Sequence, residues 1–199
     1  MPTLILASQS PRRRALLRQI GLRFRVIPSH TPERIRRNES PRQNARRIAV
    51  EKAREVAGRL RRGIVIGADT IVVLDGRILG KPSTPADARR MLRLLSGREH
   101  TVFTGFAIID AQTGRMRAGV EATRVQFRVL GRQEIASYVR AGSPMDKAGA
   151  YGIQDDFGAV FVERIRGCYY TVVGFPLARF YTEWQRFTQT TRGRTSKDR

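Results

Sequence analysis

The 199-residue chain carries 38 basic and 17 acidic residues, a formal charge of +21, and 41% apolar residues, enough to form the core of one domain or one bilobed unit. No apolar run reaches the roughly 20 residues of a membrane helix, the N-terminus lacks the features of a signal peptide, and the single cysteine, Cys168, excludes a disulfide framework or a cysteine-based zinc site. We therefore expect a reduced, cytoplasmic protein with no membrane partner.

The N-terminal third is predicted to alternate strands and helices. Leu4–Leu6 is a short apolar strand, Ser10 is a good N-cap, and Pro11 is a good first residue for a helix that stops at Gly21. The remaining elements of this third are, in chain order, a strand near 24–28, a polar loop over 29–41 and an amphipathic helix over 42–60.

The rest of the chain continues the mixture of strands and helices. The predicted elements are a strand at 64–74, a hairpin turn at 75–76 into a strand at 77–79, a helix from 84 to 95, strands at 101–109 and 120–129, a helix over 131–141, a Gly-rich segment over 145–158, a closing strand pair at 159–165 and 169–173, and a helix at 176–187. This order indicates an α/β or α+β fold with a mixed sheet. Residues 188–199 have few apolar side chains and are predicted to be a disordered basic tail after a domain over 1–187.

The positive charge has two interpretations. Arginines make up 34 of the 38 basic residues, and such a surplus can bind the phosphates of a nucleic acid. The arginines lie in scattered pairs and triplets, however, without interleaved aromatic residues and without a nucleic-acid-binding motif. This distribution favours a solvated arginine surface, so we do not expect a nucleic-acid partner.

The segment from Ser8 to Arg13 is a candidate anion site. A short strand leads into a helix N-terminus there, where free backbone N–H groups and the helix dipole favour negative charge. Ser8 and Ser10 add hydroxyls, and Arg12 and Arg13 add guanidinium groups. An ordinary capped helix with solvated arginines explains the same residues equally well.

Asp69 is the only charged residue in the apolar run 64–74. A carboxylate buried in a strand is costly unless it is paired or binds a metal. We therefore interpret Asp69 as a general base or a metal ligand. Gly67 lies close by and is expected to let a ligand approach the strand.

Three lysines stand out in a chain that otherwise uses arginine. Lys52 falls within the apolar stripe of the helix over 42–60, Lys81 lies between a glycine and a proline, and Lys147 lies in the Gly-rich segment. Each is weak evidence alone, since a lysine on an apolar stripe usually extends to the rim. Together with Asp69 they suit a polyphosphate bound with Mg²⁺.

Glu33 is an acid in the polar loop, and arginines flank it at 34, 36 and 37. Exposed ion pairs of this kind contribute little to stability or function. By spacing alone, Glu33 is interpreted as part of a surface salt bridge.

Eight ordered blocks of the sequence resemble the Maf family of nucleoside triphosphate pyrophosphatases. Their order and spacing match from residue 3 to about residue 187, which leaves out only the tail. The blocks are Leu6–Arg13, Glu51–Ala53, Gly67–Val72, Gly80–Pro82, Leu95–Gly97, His100–Gly105, Lys147–Gln154 and Val172–Leu177.

The resemblance implies a fold and a reaction. The fold is that of the inosine triphosphate pyrophosphatases, an α/β architecture with a mixed twisted sheet, flanking helices and a deep cleft. The reaction is hydrolysis of a nucleoside triphosphate to the monophosphate and pyrophosphate, with a divalent cation, Mg²⁺ or Mn²⁺. Members of the family are commonly homodimers.

The resemblance also implies roles for individual residues. The proton acceptor of the family corresponds to Asp69, and its phosphate- and metal-facing residues correspond to Ser8, Arg13, Glu33, Lys52 and Lys81. Lys52 and Lys81 are thereby expected to assist catalysis, and Glu33 to hold the metal, which replaces its interpretation as a surface salt bridge. The residues that match Arg12, Thr70 and Gln154 mark the subgroup acting on dTTP and UTP, so that substrate class is expected.

Alternative functions stay open at this point. The sister subgroup acts on 7-methyl-GTP, and a broad-specificity enzyme would carry the same catalytic residues. A basic nucleic-acid-binding or cell-division regulatory protein is the alternative from another class. Three residues, Asp155, Thr171 and Phe175, depart from the usual pattern of the family, and they concern specificity more than catalysis.

Overall fold

A mixed β-sheet with flanking helices organises the chain, which confirms the expected α/β class. The computed structural model describes residues 3–142, 144–154 and 156–192. The strands are β1 Leu4–Leu6, β2 Arg25–Val26, β3 Ile64–Leu74, β4 Arg77–Leu79, β5 Glu99–Asp110, β6 Met116–Phe127 and β7 Val162–Arg166. The helices are α1 Pro11–Gln19, α2 Pro41–Ala57, α3 Pro85–Leu95, α4 Arg132–Arg140, α5 Tyr169–Val173 and α6 Leu177–Arg192.

The seven strands form one sheet in the order β2-β1-β3-β5-β6-β7, and β4 pairs with β3. Strand β1 pairs in parallel with both β2 and β3, in a register that places Ile5 opposite Arg25 and Val65. Strands β4 and β7 pair antiparallel with β3 and β6, so the sheet is mixed. Because α1 follows directly after β1, the N-terminus of α1 lies at the carboxyl end of a parallel strand, where α/β folds commonly bind ligands.

The backbone divides into two compact units. The first contains the chain up to Asp69, the segment 104–121, and the chain from Gly174 onward, whereas the second contains 70–103 and 122–173. In the first unit, helix α2 packs its apolar face on the sheet, with Val50, Ala53 and Val56 against Ile5 and Val65. That face matches the stripe predicted from the sequence.

The helix caps explain where α1 and α2 begin. The Ser10 hydroxyl accepts a hydrogen bond from the Arg13 backbone N–H, and Pro11 occupies the first turn, as predicted. Ser40 and Gln43 form a reciprocal capping box at the start of α2. Helix α2 ends at Ala57, three residues before the predicted end.

The second unit contains a cluster of aromatic rings. The rings of Phe127, Tyr151 and His100 meet edge to face, with centroids 4.7 to 5.3 Å apart. The Tyr151 hydroxyl lies 2.7 Å from His100 Nε2, and burial lowers the pKa of His100 to about 4. His100 is therefore neutral at neutral pH and belongs to the core of this unit.

Two predictions near the C-terminus were wrong. The segment Tyr169–Val173 is a short helix rather than a strand, and only Val162–Arg166 pairs with β6. A short apolar run does not distinguish the two structures, and packing overrides strand propensity here. Helix α6 continues to Arg192 instead of ending at Phe187, while residues 193–199 of the predicted tail and Asp155 lie outside the described residues.

Within the described ranges, every helix is too short or too polar to cross a lipid bilayer.

Candidate active site

Asp69 is the buried carboxylate on which the site is built. It lies on β3 with only 4% of its surface exposed, so it loses most of the solvation that a free carboxylate has. The Lys52 ammonium donates a hydrogen bond to Asp69 Oδ1 over 2.7 Å, and Lys52 itself is buried. The structure thus brings together two of the residues that stand out in the sequence.

Glu33 binds the same ammonium. Lys52 Nζ donates to Glu33 Oε1 over 2.6 Å, so one cation holds two carboxylates. The Glu33 side chain is 45% exposed, whereas the Asp69 side chain is 6% exposed. The pair therefore consists of one carboxylate open to solvent and one enclosed by protein.

The loop that carries Glu33 is anchored by Asn44, a residue that the sequence analysis did not single out. Asn44 is fully buried on α2. Its Oδ1 accepts from the Arg36 N–H over 2.8 Å, and its Nδ2 donates to the carbonyls of Arg36, Glu39 and Ser40. The sequence does contain an indication of this role, because Asn44 lies four residues before Ile48 and therefore places a polar side chain on the apolar stripe of the helix.

Gly67 has a different role from the predicted one. A side chain at this position would collide with the Ala49 carbonyl oxygen and with Ala53, both on α2. The glycine thus permits close approach of a helix to the sheet, not of a ligand. Because Lys52 is on the same helix, this contact brings its ammonium to Asp69.

Arg13 is fixed beside the carboxylates by Ser8. Arg13 Nη1 donates to Ser8 Oγ over 3.2 Å, and Arg13 Nε donates to the Gly174 carbonyl over 3.0 Å. Ser8 Oγ also accepts from the Ser10 N–H over 3.2 Å, which ties the arginine to the N-terminus of α1. The negative charges of Asp69 and Glu33 both act on the Arg13 guanidinium. Ser8 thus orients the Arg13 guanidinium, a role that comes in addition to the phosphate contact expected of Ser8.

Burial and charge act in opposite directions on the central groups. Burial raises the pKa of the Asp69 carboxyl, and the positive charges of Lys52 and Arg13 offset part of the rise. Burial lowers the pKa of the Arg13 guanidinium, but the group stays charged because the ordinary pKa of arginine lies far above neutral pH. A carboxyl group whose pKa is raised by burial, next to cations that favour its charged form, is a suitable proton acceptor.

Arg12 is the neighbour of Arg13 in the first turn of α1 and is half-buried. The positive charge of Arg12 acts against that of Arg13 and contributes to the lowered pKa of the Arg13 guanidinium. Two adjacent cations at a helix N-terminus form a region of positive potential that suits an anion.

The other three expected site residues, Thr70, Lys81 and Gln154, belong to the second unit. Lys81 is exposed, and the carbonyl of Gly80 beside it accepts the Gly149 N–H over 3.0 Å. The Gln154 amide is buried, and neither its Nε2 nor its Oε1 finds a hydrogen-bond partner among the described residues. Buried amides without partners are rare in proteins, so this one is a candidate for ligand recognition.

Asp69 and Glu33 are the residues of this site that could hold a metal ion. No group of three or more His, Cys, Asp or Glu side chains suited to a metal ion occurs in the described part of the chain. Asp69 and Glu33, which share the Lys52 ammonium, supply carboxylate oxygens. Mg²⁺ is commonly bound by one or two carboxylates that act together with substrate phosphates and water, so the donor set fits this ion.

The comparison with protein families identifies the family of this chain. A model of the family described as Maf-like protein matches residues 3–187. The chain belongs to the Maf-like protein family. The matched range contains all the residues expected at the site, namely Ser8, Arg12, Arg13, Glu33, Lys52, Asp69, Thr70, Lys81 and Gln154.

Curated relatives of this Maf-like chain share about half of its residues. The dTTP/UTP pyrophosphatase of Thermococcus gammatolerans is 53% identical over 87% of this chain and 91% of its own length. The dTTP/UTP pyrophosphatase of Moorella thermoacetica is 49% identical over 90% of this chain and 92% of its own length. The dTTP/UTP pyrophosphatase of a Geobacillus species is 49% identical over 94% of this chain and 98% of its own length.

Proposed function

We propose that this chain hydrolyses dTTP and UTP to the nucleoside monophosphate and pyrophosphate. The observation that carries the proposal is the buried Asp69 carboxylate held by Lys52, with Glu33 on the same ammonium. A carboxylate with a raised pKa beside a set of cations suits water activation and phosphate binding. The names of the Maf-like relatives support the same reaction and the same substrates.

The proposed step is attack of water on the α-phosphorus. The water oxygen forms a bond to phosphorus while the bond from that phosphorus to the oxygen bridging to the β-phosphate breaks. The pair of electrons leaves with pyrophosphate, and Asp69 accepts the proton of the water. Assistance by a positioned base of this kind contributes about 10²- to 10⁴-fold to the rate.

The cations supply the larger share of the acceleration. Arg13 is oriented by Ser8 and the Gly174 carbonyl, so its guanidinium is preorganised for the developing phosphate charge. The positive charge of Lys52 favours the charged form of the Asp69 carboxyl, and Lys81 is proposed to neutralise the leaving pyrophosphate. Ser10 caps the start of α1, where the positive end of the helix dipole favours an anion.

A divalent cation, Mg²⁺ or Mn²⁺, is proposed as the cofactor, with Glu33 as its main protein ligand. The exposed position of Glu33 suits an ion that arrives with the triphosphate, and Asp69 offers a second oxygen donor nearby. When bound, such an ion supplies electrostatic stabilisation of the charge that develops on the phosphate oxygens.

The preference for a pyrimidine is proposed to come from Gln154, with Arg12 and Thr70. A carboxamide offers one acceptor and two donor hydrogens, which can pair with the N3–H and a carbonyl oxygen of thymine or uracil. Because the Gln154 amide is buried without a partner among the described residues, a base that leaves it unpaired is penalised.

The test is a panel of nucleoside triphosphates incubated with Mg²⁺, with pyrophosphate as the readout. We expect dTTP and UTP to be turned over fastest, and Asp69→Asn to lower turnover by about 10²- to 10⁴-fold while the chain stays folded. Preferred turnover of 7-methyl-GTP, or equal turnover of all nucleotides, would contradict the substrate class. Near wild-type turnover by Asp69→Asn would contradict the mechanism.

Three further expectations stay predictions. The deep cleft and the homodimer rest on the resemblance, and the cytoplasmic location rests on the composition of the sequence.

A further inference from the structure

We propose that the Tyr138 hydroxyl positions the Gln154 amide, and that Tyr138 is thereby a determinant of nucleotide selectivity although it has no place in the chemical step. The inference rests on the proposed function, because it takes the Gln154 amide as the group that reads the base. It is carried by contacts within the second unit, where α4 and the segment 150–154 meet.

The first observation is the hydrogen bond between Tyr138 and the backbone of this segment. Tyr138 lies on α4 with 2% of its surface exposed, and its ring packs on Phe161 with centroids 4.9 Å apart. Its hydroxyl oxygen accepts the Gly152 N–H over 3.3 Å in a buried position. A buried backbone donor needs such a partner, so the hydroxyl fixes the chain two residues before Gln154.

The second observation is the close packing around that hydroxyl. A side chain at Gly158 would lie 2.8 Å from the Tyr138 hydroxyl and 2.7 Å from the Gly152 carbonyl oxygen. These distances are shorter than real contacts of a Cβ atom, so position 158 must be a glycine for the hydroxyl and Gly152 to stay together. Three separate parts of the chain therefore meet at one phenolic oxygen.

The third observation is that the preceding residue is held in the same way. The Tyr151 hydroxyl lies 2.7 Å from His100 Nε2, and its ring is enclosed by His100 and Phe127. Two tyrosine hydroxyls thus fix consecutive residues, one through a side chain and one through the backbone. Gln154 follows two residues after Gly152, and its side-chain amide makes no hydrogen bond within the described residues, so its orientation depends on this support.

The experiment compares Tyr138→Phe, Gln154→Ala and wild type on dTTP and dGTP with Mg²⁺. The substitution Tyr181→Phe, at an exposed tyrosine of α6, is the matched control. We expect Tyr138→Phe to raise KM for dTTP about 5- to 10-fold, to leave kcat within about twofold, and to lower the dTTP preference. Gln154→Ala should lower the same preference further, and Tyr181→Phe should behave as wild type.

The outcomes separate this inference from the function on which it rests. If Gln154→Ala abolishes the preference and Tyr138→Phe leaves KM and preference unchanged, the positioning role is overturned and the proposed function stands. An equal loss of kcat on every nucleotide in Tyr138→Phe shows a merely structural role and also overturns it. If Gln154→Ala leaves the preference unchanged, the proposed base recognition fails, and the positioning role fails with it.

Hydrogen exchange on the wild-type chain gives a readout that does not depend on any variant. The Gly152 amide proton should exchange slowly, with protection similar to that of α4. Exchange of this proton at the rate of an exposed loop amide would overturn the inference.

Discussion

Removal of the Lys52 ammonium tests whether the buried ion pair is organised as described. In Lys52→Met the Asp69 carboxylate keeps its burial but loses the hydrogen bond of 2.7 Å, and Glu33 loses its bond of 2.6 Å. Breaking a buried pair from one side typically costs about 3–5 kcal/mol. Arg13 still acts on Asp69, so we expect a loss at the lower end, about 3 kcal/mol, together with loss of activity.

The assay is urea-induced unfolding at pH 8, followed by the fluorescence of Trp184, the only tryptophan. The decisive comparison adds Asp69→Asn to Lys52→Met, since the second change removes the unpaired buried charge. We expect the double variant to be more stable than Lys52→Met alone, by about 1–2 kcal/mol. A loss below about 1 kcal/mol in the single variant, or no recovery in the double variant, would refute the reasoning.

Three further outcomes are expected. Gly67→Ala should lower the free energy of unfolding by about 2–4 kcal/mol and lower kcat, because the new methyl group pushes α2 away from β3. Gly58→Ala, at the end of the same helix, should change the stability very little, so similar urea midpoints for the two variants would contradict this. The folded pKa of His100, about 4, lies below its ordinary 6.5, so its contribution to stability is complete above pH 6.5 and is lost as the pH falls. The unfolding free energy of the wild type should therefore drop about 2 kcal/mol more than that of His100→Gln between pH 7 and pH 5, and parallel pH profiles would argue against it. With a formal charge of +21, the chain should attract a triphosphate at long range, so kcat/KM for dTTP should fall severalfold between 50 and 500 mM salt, and a flat profile would exclude such steering.

Local patterns predicted most of the elements because the signals were strong. Ser10 and Pro11 start α1 as expected, and the apolar run at 64–74 is a single strand with the bounds predicted for it. The segment 169–173 was assigned wrongly, since a five-residue apolar run has no periodicity that separates a strand from one turn of helix. The structure of this segment depends on packing against distant parts of the chain, which a local sequence pattern does not reveal.

The site was predictable in part. Asp69 and Lys52 each broke the apolar pattern of their own element, and such breaks mark buried polar groups that need partners. Glu33 had no such signal, because its partner is 19 positions away and the loop is anchored by Asn44. Gly67 was recognised as a point of close approach, but the approaching group, the backbone of α2, is visible only in three dimensions.

The contact of Gly67 with helix α2 sets the spacing of the central ion pair through main-chain atoms. Backbone fluctuates less than long side chains, so the separation of Lys52 and Asp69 should persist when side chains elsewhere in the core exchange rotamers. Repacking of distant core positions, in evolution or in the laboratory, would then leave the charge geometry intact. Substitutions that adapt this chain to a higher temperature are therefore expected in the rest of the core. They are not expected where Gly67 contacts Ala49 and Ala53.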